Sequence, residues 1–174
     1  MEEEPLHQPH DKLFKATFSN LENARSFLEA HLPAELVQQF DWASLRLLPA
    51  SFIDPQFQAS ESDLLFRVST VSAEPSPVLI YVLLEHQSTE DPRIALRLLR
   101  YIARVWEQFA QENPPPAKLP PVLPWVIAQG DQPWKSSPHL RDLVDLPPEL
   151  AGILGLHQPG FEFRLMELCS TPFE

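Results

Sequence analysis

The sequence has 174 residues, a hydrophobic fraction of 44% and a formal net charge of −11 at pH 7, which fits one globular domain with its own core. This acidic balance excludes a surface coated with basic patches, so a nucleic-acid partner would need a local arginine cluster or a metal ion. A single cysteine excludes an internal disulfide and a cysteine-based zinc site, and four glycines leave no glycine-rich phosphate loop. Without a signal peptide or long apolar span, the expected location is the cytosol, with no membrane contact.

The N-terminal segment predicts a leader followed by a helix. Three consecutive glutamates and two prolines over residues 1–9 indicate a disordered leader, and residues 10–174 then form a single domain. Apolar residues at helical spacing predict a helix over Asp11–His31, in which Ser19 and Glu22 form a capping box after a kink.

Three strands are predicted next in the chain. Leu45–Pro49 is a short strand, and Asp63–Val68 is a second strand, whose apolar face is formed by Leu64, Phe66 and Val68. Val78–Leu84 is apolar throughout, which is typical of a central strand covered on both faces. The turn-rich segment Ser72–Pro77 between the last two strands predicts a hairpin.

Polar residues stand at the end of this apolar strand and at the start of its partner. Glu85, His86 and Gln87 follow directly after Val78–Leu84, and Asp63 opens the preceding strand. Because strand side chains alternate, Glu85 and Gln87 project to one side and His86 to the other. The hairpin should bring the carboxylates of Asp63 and Glu85 close together.

A long amphipathic helix is predicted over Asp91–Gln111, with Asp91 as its N-cap. One of its faces is apolar, and another carries four arginines at helical spacing, Arg93, Arg97, Arg100 and Arg104. Such a stripe is on general grounds a solvated face, but its N-terminal end follows the acidic residues directly.

Two further strands are predicted after this helix. Val122–Ala128 is an apolar segment in which Pro124 suggests a sheet edge or a bulge. Phe161–Leu168 is predicted as a late strand near the end of the chain.

Two carboxylates at neighbouring strand ends are suited to a hard divalent cation. Asp63, Glu85 and the backbone carbonyl of His86 would supply oxygen ligands to Mg²⁺ or Mn²⁺ and leave positions for water and a phosphate oxygen. The alternative without a functional role is a pair of strand-end acids that face solvent or cap the next helix.

The acid followed by Glu-x-Gln resembles the active-site pattern of the PD-(D/E)XK nuclease superfamily. The wider set of motifs resembles the Rpn family of recombination-promoting nucleases, also described as YhgA-like transposases. These motifs are HDKLFK at 10–15, SDLLF at 62–66, LEHQS at 84–88, RLLRY at 97–101 and the region 123–134. The family usually continues into a C-terminal region that is absent here, and its aromatic-containing turn reads Ala128-Gln129-Gly130.

This resemblance implies a fold and an activity. The fold is a restriction-endonuclease-like α/β core of order α-β-β-β-α-β, with a central mixed sheet flanked by helices. The activity is Mg²⁺-dependent DNA endonuclease cleavage that promotes recombination, with Asp63, Glu85 and Gln87 in the catalytic positions. DNA is the implied partner, and a homodimer is left open. True transposase activity would need strand-transfer chemistry for which the sequence offers no separate evidence.

Supporting roles are assigned to residues around these positions. Gln87 stands where the superfamily pattern has lysine, and it can orient a water only through hydrogen bonds. The resemblance implies a working variant, because glutamine is usual at this position in the Rpn family. Lys15 is a candidate source of the missing positive charge, and Asp11 and Tyr101 are candidate supporting residues. Arg93, Arg97 and Arg100 are candidate contacts to DNA phosphates. The competing hypothesis is a catalytically silent module that keeps the nuclease fold and binds nucleic acid or protein.

Overall fold

The residues described by the computed structural model are 9–49, 63–86, 91–115, 117–130 and 133–169. For residues 9–12, 84–86 and 169 only the backbone is described. The predicted leader, apart from Pro9, and the catalytic candidate Gln87 lie outside the described residues.

The described elements follow the order of three helices, three strands, a long helix and two strands separated by short helices. The helices are α1 (Pro9–Ser19), α2 (Leu21–His31), α3 (Ala34–Val37), α4 (Ile94–Glu112) and α5 (Ala151–Leu154). The strands are β1 (Phe40–Leu48), β2 (Asp63–Thr70), β3 (Pro77–His86), β4 (Val122–Gly130) and β5 (Arg164–Cys169). Two 3-10 helices span Leu140–Leu143 and Gly155–His157.

The strands form one mixed sheet in the order β1-β2-β3-β4-β5. Strands β1, β2 and β3 pair antiparallel, whereas β3, β4 and β5 pair parallel. The predicted α/β class with a mixed sheet flanked by helices is confirmed. The prediction that Val78–Leu84 occupies the centre of the sheet is also confirmed, because β3 lies between β2 and β4.

Each face of the sheet has its own apolar core, which follows from the alternation of strand side chains. On the α2 face, Leu64, Phe66 and Val82 pack with helix α2. The Phe27 ring of α2 stacks on Trp125 of β4 at 5.3 Å between centroids. The strand residues that alternate with these point to the opposite face, the α4 face, and pack against helix α4. They are Leu65, Leu79, Tyr81, Leu83 and Val126.

Helix α4 buries the apolar stripe that its sequence predicts. The fully buried residues are Ile94, Ala95, Leu98, Ile102, Val105 and Phe109. Arg93 and Arg100 are exposed, whereas Arg97 and Arg104 are half-buried. The arginines therefore lie along one flank of the helix that covers the α4 face.

The capping box predicted at Ser19 is wrong by one residue. Helix α1 ends at Ser19, whose hydroxyl donates to the Lys15 carbonyl at 2.6 Å. The cap of α2 is Asn20, whose side-chain oxygen accepts from the N–H groups of Glu22 at 2.9 Å and Asn23 at 3.4 Å. Asparagine caps as well as serine because its short side chain reaches the free amides of the first turn.

The interpretation of Pro124 as a sheet edge or bulge is wrong, because β4 lies between β3 and β5. The Leu79 N–H donates to the Pro121 carbonyl, so on alternation the backbone nitrogen of Pro124 points towards β5. Strand β5 begins opposite Trp125, at Arg164. Proline is therefore tolerated in an interior strand, since its missing N–H falls just before the neighbouring strand begins.

Candidate active site

Several strands and one helix begin or end along the same side of the sheet. This side, formed by strand ends and not by a lateral strand, is called the edge below. Because β2 is antiparallel to β3 and β4 is parallel to it, the start of β2 lies beside the ends of β3 and β4. Helix α4 follows β3 and begins at the same edge. This is the edge at which ligands bind in α/β sheets, outside the carboxyl ends of the parallel strands.

Asp63 occupies this edge as the first residue of β2. Its side chain is only 3% exposed, and it is the one charged residue among the fully buried described residues. Asp63 pairs with Leu83 across the hairpin and alternates with Leu64, which packs on the α2 face. The carboxylate therefore lies on the α4 face, where burial of an acid requires nearby donors or cations.

Tyr81 of β3 supplies a hydroxyl beside this carboxylate. The ring is buried and lies 5.3 Å from the Tyr101 ring of α4. Burial raises the pKa of Tyr81 well above its usual value of 10, and the interactions of its hydroxyl with Asp63 and Tyr101 raise this pKa further. The positive charge of Arg97 lowers the pKa of the same hydroxyl. Asp63, Tyr81, Arg97 and Tyr101 together are called the Asp63 cluster.

Asp91 links this cluster to the start of α4. One carboxylate oxygen accepts the Arg93 N–H at 2.8 Å, and the other lies 3.8 Å from Nη1 of Arg97. The helix begins at Ile94, three residues later than predicted, because Asp91 closes a turn before it. The prediction of Asp91 as the N-cap of this helix is wrong, because the N-cap is Arg93, which makes no side-chain cap bond. Asp91 instead caps the turn before the helix and lies beside the Arg97 guanidinium.

The backbone of β3 places Glu85 near Asp63. Asp63 pairs with Leu83, so Glu85 is its diagonal neighbour, a relation in which Cβ atoms are roughly 7–8 Å apart or somewhat less. Both residues belong to the α4 face on alternation. Neither the Glu85 side chain nor Gln87 is among the groups that the structure describes, so their predicted roles stay predictions. His86, the last residue of β3, pairs with Gln129 of β4.

The donor set at this edge fits a hard divalent cation. A buried carboxylate on β2, a glutamate position on the same face of β3 and the backbone carbonyl of His86 are all oxygen donors, as Mg²⁺ or Mn²⁺ requires. Among the described side chains, no group of three or more His, Cys, Asp or Glu residues is placed to hold a metal ion. A site here therefore depends on the Glu85 side chain together with backbone and water oxygens.

The remaining candidates divide between the two faces. Tyr101 and Arg97 belong to the Asp63 cluster. Lys15 lies on α1, whose Phe14 and Phe18 pack on the α2 face, opposite the face that carries the Asp63 carboxylate. Asp11 lies within α1, which already begins at Pro9. Supporting roles for these two residues remain predictions.

Tyr81 is the residue of this cluster that the sequence interpretation misses. By its neighbours in sequence it belongs simply to an apolar strand. The available signal is its position, since Tyr81 and Glu85 are separated by an even number of residues and share a face of β3. A tyrosine on the acidic face of a buried strand carries a hydroxyl that needs a polar partner.

The alkaline stability of the protein should report the burial of the Tyr81 hydroxyl beside Asp63. Because the pKa of Tyr81 is raised in the folded state, the stability from its protonated form is complete below pH 10 and is lost as pH rises above 10. Tyr81→Phe should make this loss shallower, by at most about 1.4 kcal/mol per pH unit. Urea denaturation at intervals above pH 9 measures the slope. An unchanged slope would contradict the raised pKa of Tyr81.

Comparison with known proteins places the whole described chain in one family. The model of the family "Putative transposase, YhgA-like" matches residues 8–173. No solved structure matches the chain. None of the described helices is long and apolar enough to cross a membrane.

Three relatives from Escherichia coli are similar over much of this chain. Recombination-promoting nuclease RpnD of strain O157:H7 is 40% identical over 129 residues, 72% of this chain and 48% of its own length. Recombination-promoting nuclease RpnC of strain K12 is 34% identical over 170 residues, 97% of this chain and 53% of its own. Inactive recombination-promoting nuclease-like protein RpnE of strain K12 is 34% identical over 152 residues, 87% of this chain and 49% of its own. The chain thus spans about half the length of these relatives.

Proposed function

Because the chain belongs to the YhgA-like transposase family, we propose that it is a divalent-metal-dependent DNA endonuclease domain of the recombination-promoting type. The observation that carries this proposal is the buried Asp63 on the α4 face, diagonal to Glu85 at the end of the central strand. We take the core to be restriction-endonuclease-like, with the order helix, three strands, helix, strand. The reaction is hydrolysis of a phosphodiester bond in cytoplasmic DNA.

Each residue at the edge has a role in this reaction. Asp63, Glu85 and the His86 carbonyl would hold the cation, and Gln87 would orient the attacking water through its side-chain amide. A divalent cation held there, Mg²⁺ or Mn²⁺, would lower the pKa of water and polarise the scissile phosphate. The Tyr81 hydroxyl lies beside Asp63 and would donate to this carboxylate in the closed site.

Arginines on α4 supply positive charge beside the carboxylates. Arg97 belongs to the Asp63 cluster, so its guanidinium lies next to the position of the scissile phosphate. Arg93 and Arg100 are exposed on the same flank and would contact neighbouring phosphates. These contacts position DNA without reading its sequence.

A catalytically silent binding module is the second candidate. Two similar proteins of Escherichia coli K12 carry the word inactive in their names, and Gln87 stands where the superfamily pattern has lysine. A silent module would keep the arginine flank and bind DNA without cleaving it.

Cation binding and cleavage by the wild-type chain separate these candidates. We expect Mn²⁺ to bind with measurable heat in calorimetry, and the chain to nick supercoiled plasmid in Mg²⁺ or Mn²⁺. Gln87→Lys should cleave at least as fast, because lysine adds a positive charge where negative charge develops. Plasmid that stays intact at every metal concentration, together with no heat of binding, would favour the silent module.

A further inference from the structure

Two arginines face each other across the β1–β2 ladder. Arg46 and Arg67 are directly paired in the antiparallel register, and both are exposed. Leu48 lies two residues after Arg46 and Leu65 two residues before Arg67, and both leucines pack in the core of the α4 face. Because residues two apart on a strand share a face, the two arginines also lie on the α4 face. Directly opposite residues have Cβ atoms about 4.5–5.5 Å apart, so the two positive charges share one small area.

This arrangement is unfavourable for the folded protein by itself. Like charges directly opposite on a sheet are destabilising. The chain has 24 acidic residues against 13 lysines and arginines. Within the part of the chain that the structure describes, neither arginine forms an ion pair, whereas Arg25 on α2 pairs with Glu29 at 3.0 Å. A repulsive pair left without an acid is expected where an external anion binds.

The guanidinium of Arg46 is held in place for such an anion. Its Nη1 donates to the carbonyls of Ala43 at 3.0 Å and Leu45 at 2.7 Å. These carbonyls are accessible because the ladder shifts register between Asp41 and Arg46. Both bonds use one terminal nitrogen, so the fork of the guanidinium keeps further N–H donors for a phosphate oxygen.

The pair lies on the same surface as the Asp63 cluster. Arg67 is four residues from Asp63 along β2, about 13 Å. At 3.4 Å per phosphate along the axis of one strand, this spans roughly four phosphates of B-DNA.

Helix α4 forms the wall of this surface. It runs antiparallel to β3, because it returns the chain to the start of the parallel strand β4. The Tyr101 ring packs against Tyr81 in a tilted arrangement, and Arg104 lies about one helical turn further along α4. Two residues back from Tyr81 is Leu79, which pairs with Arg67. Arg104 therefore lies at the level of Arg67, and the arginine flank continues from the Asp63 cluster to the Arg46–Arg67 pair.

We propose that Arg46 and Arg67 form a phosphate-binding site on the β1–β2 part of the α4 face, which holds the DNA backbone at a distance from the cleaved bond. This inference rests on the nuclease function proposed above. The site contacts backbone only, so it adds affinity and fixes the direction of the duplex without adding sequence preference. It also explains how an acidic protein binds DNA, since its positive charge is gathered along one path.

The test is the salt dependence of binding to a fluorescent DNA duplex, measured by anisotropy with Ca²⁺ in place of Mg²⁺. Arg46→Gln/Arg67→Gln should weaken binding by about 100-fold or more, because two charged hydrogen bonds to phosphate are lost and each contributes roughly 10-fold or more. The slope of log K against log salt should fall by about 1.8, at roughly 0.9 per phosphate contact. The melting temperature checks that the variant folds, because removal of the repulsion is offset by loss of the Arg46 bonds to the Ala43 and Leu45 carbonyls.

The matched control is Arg25→Gln/Lys118→Gln. Both residues are exposed. Arg25 lies on α2, and Lys118 lies before the start of β4, whereas Asp63 lies beside the end of β4. Like the test variant, it takes the formal net charge from −11 to −13, because two positive charges are removed. Its affinity and salt slope should match the wild type. Equal losses in both variants would show a net-charge effect and overturn the inference.

Plasmid cleavage by the wild type separates this inference from the proposed function. If the wild type nicks plasmid but the Arg46/Arg67 variant keeps its affinity and slope, the phosphate site is wrong and the nuclease function stands. If the wild type binds DNA through this pair but never cleaves, the phosphate site stands and the nuclease function is wrong. A wild type that does not bind the duplex overturns the inference.

Discussion

Asp63→Asn is expected to lower the rate of DNA cleavage by roughly 10³-fold, because cation stabilisation of transition-state charge is worth several kcal/mol and each 1.36 kcal/mol is tenfold. Asparagine keeps the size of the buried side chain but gives up one charged oxygen. The fold should be retained, since one of two neighbouring negative charges is removed. Plasmid nicking measures the rate, and calorimetry with Mn²⁺ should show weakened cation binding.

Two further variants make this result specific. Glu85→Ala should cause a loss of the same order, because the proposed site needs both carboxylates. Asp145→Asn removes an exposed acid outside the sheet and should leave cleavage unchanged. Full cleavage by folded Asp63→Asn would remove Asp63 from the catalytic site, even though it is buried at the edge where the elements meet.

Arg93→Gln/Arg97→Gln is expected to weaken DNA binding by two to three orders of magnitude, because each charged hydrogen bond to a phosphate is worth roughly 1.5–3 kcal/mol. The salt slope should decrease by about 1.8, since two phosphates would no longer release their counterions. Glutamine is the better replacement, because a glutamate at position 97 would face Asp91 at the distance of the present ion pair, 3.8 Å. Anisotropy titrations at several salt concentrations give both quantities.

This pair of substitutions differs from the Arg46/Arg67 pair in its effect on catalysis. Arg97 lies in the Asp63 cluster, so cleavage at saturating DNA should also slow. In the Arg46/Arg67 variant, cleavage at saturating DNA should approach the wild-type rate. The Arg25/Lys118 variant again serves as the charge control. If affinity and salt slope stay at wild-type values, the arginine flank of α4 is only a solvated helix face.

Local periodicity is enough to predict the parts of the fold that lie within one segment. The apolar run Val78–Leu84 is stable only if it is covered on both faces, so its central position follows from composition. The amphipathic stripe of α4 predicts which residues it buries. The predicted hairpin is enough to bring Asp63 and Glu85 close together, whereas their shared face depends on the observed pairing of Asp63 with Leu83.

Non-local pairing decides what local periodicity leaves open. Arg46 and Arg67 lie opposite each other because the register of β1 shifts between Asp41 and Arg46. A register that differed by one residue would have placed one of the two arginines on the other face of the sheet. Tyr81 becomes a partner of Asp63 only when α4 folds back over β3 and encloses its hydroxyl. Pro124 is accommodated inside the sheet because β5 begins one residue further along. Each of these outcomes depends on contacts between segments that are distant in the sequence, and only the assembled sheet and helices fix the register and packing of those segments. The period of a strand or helix, in contrast, is set by its own residues.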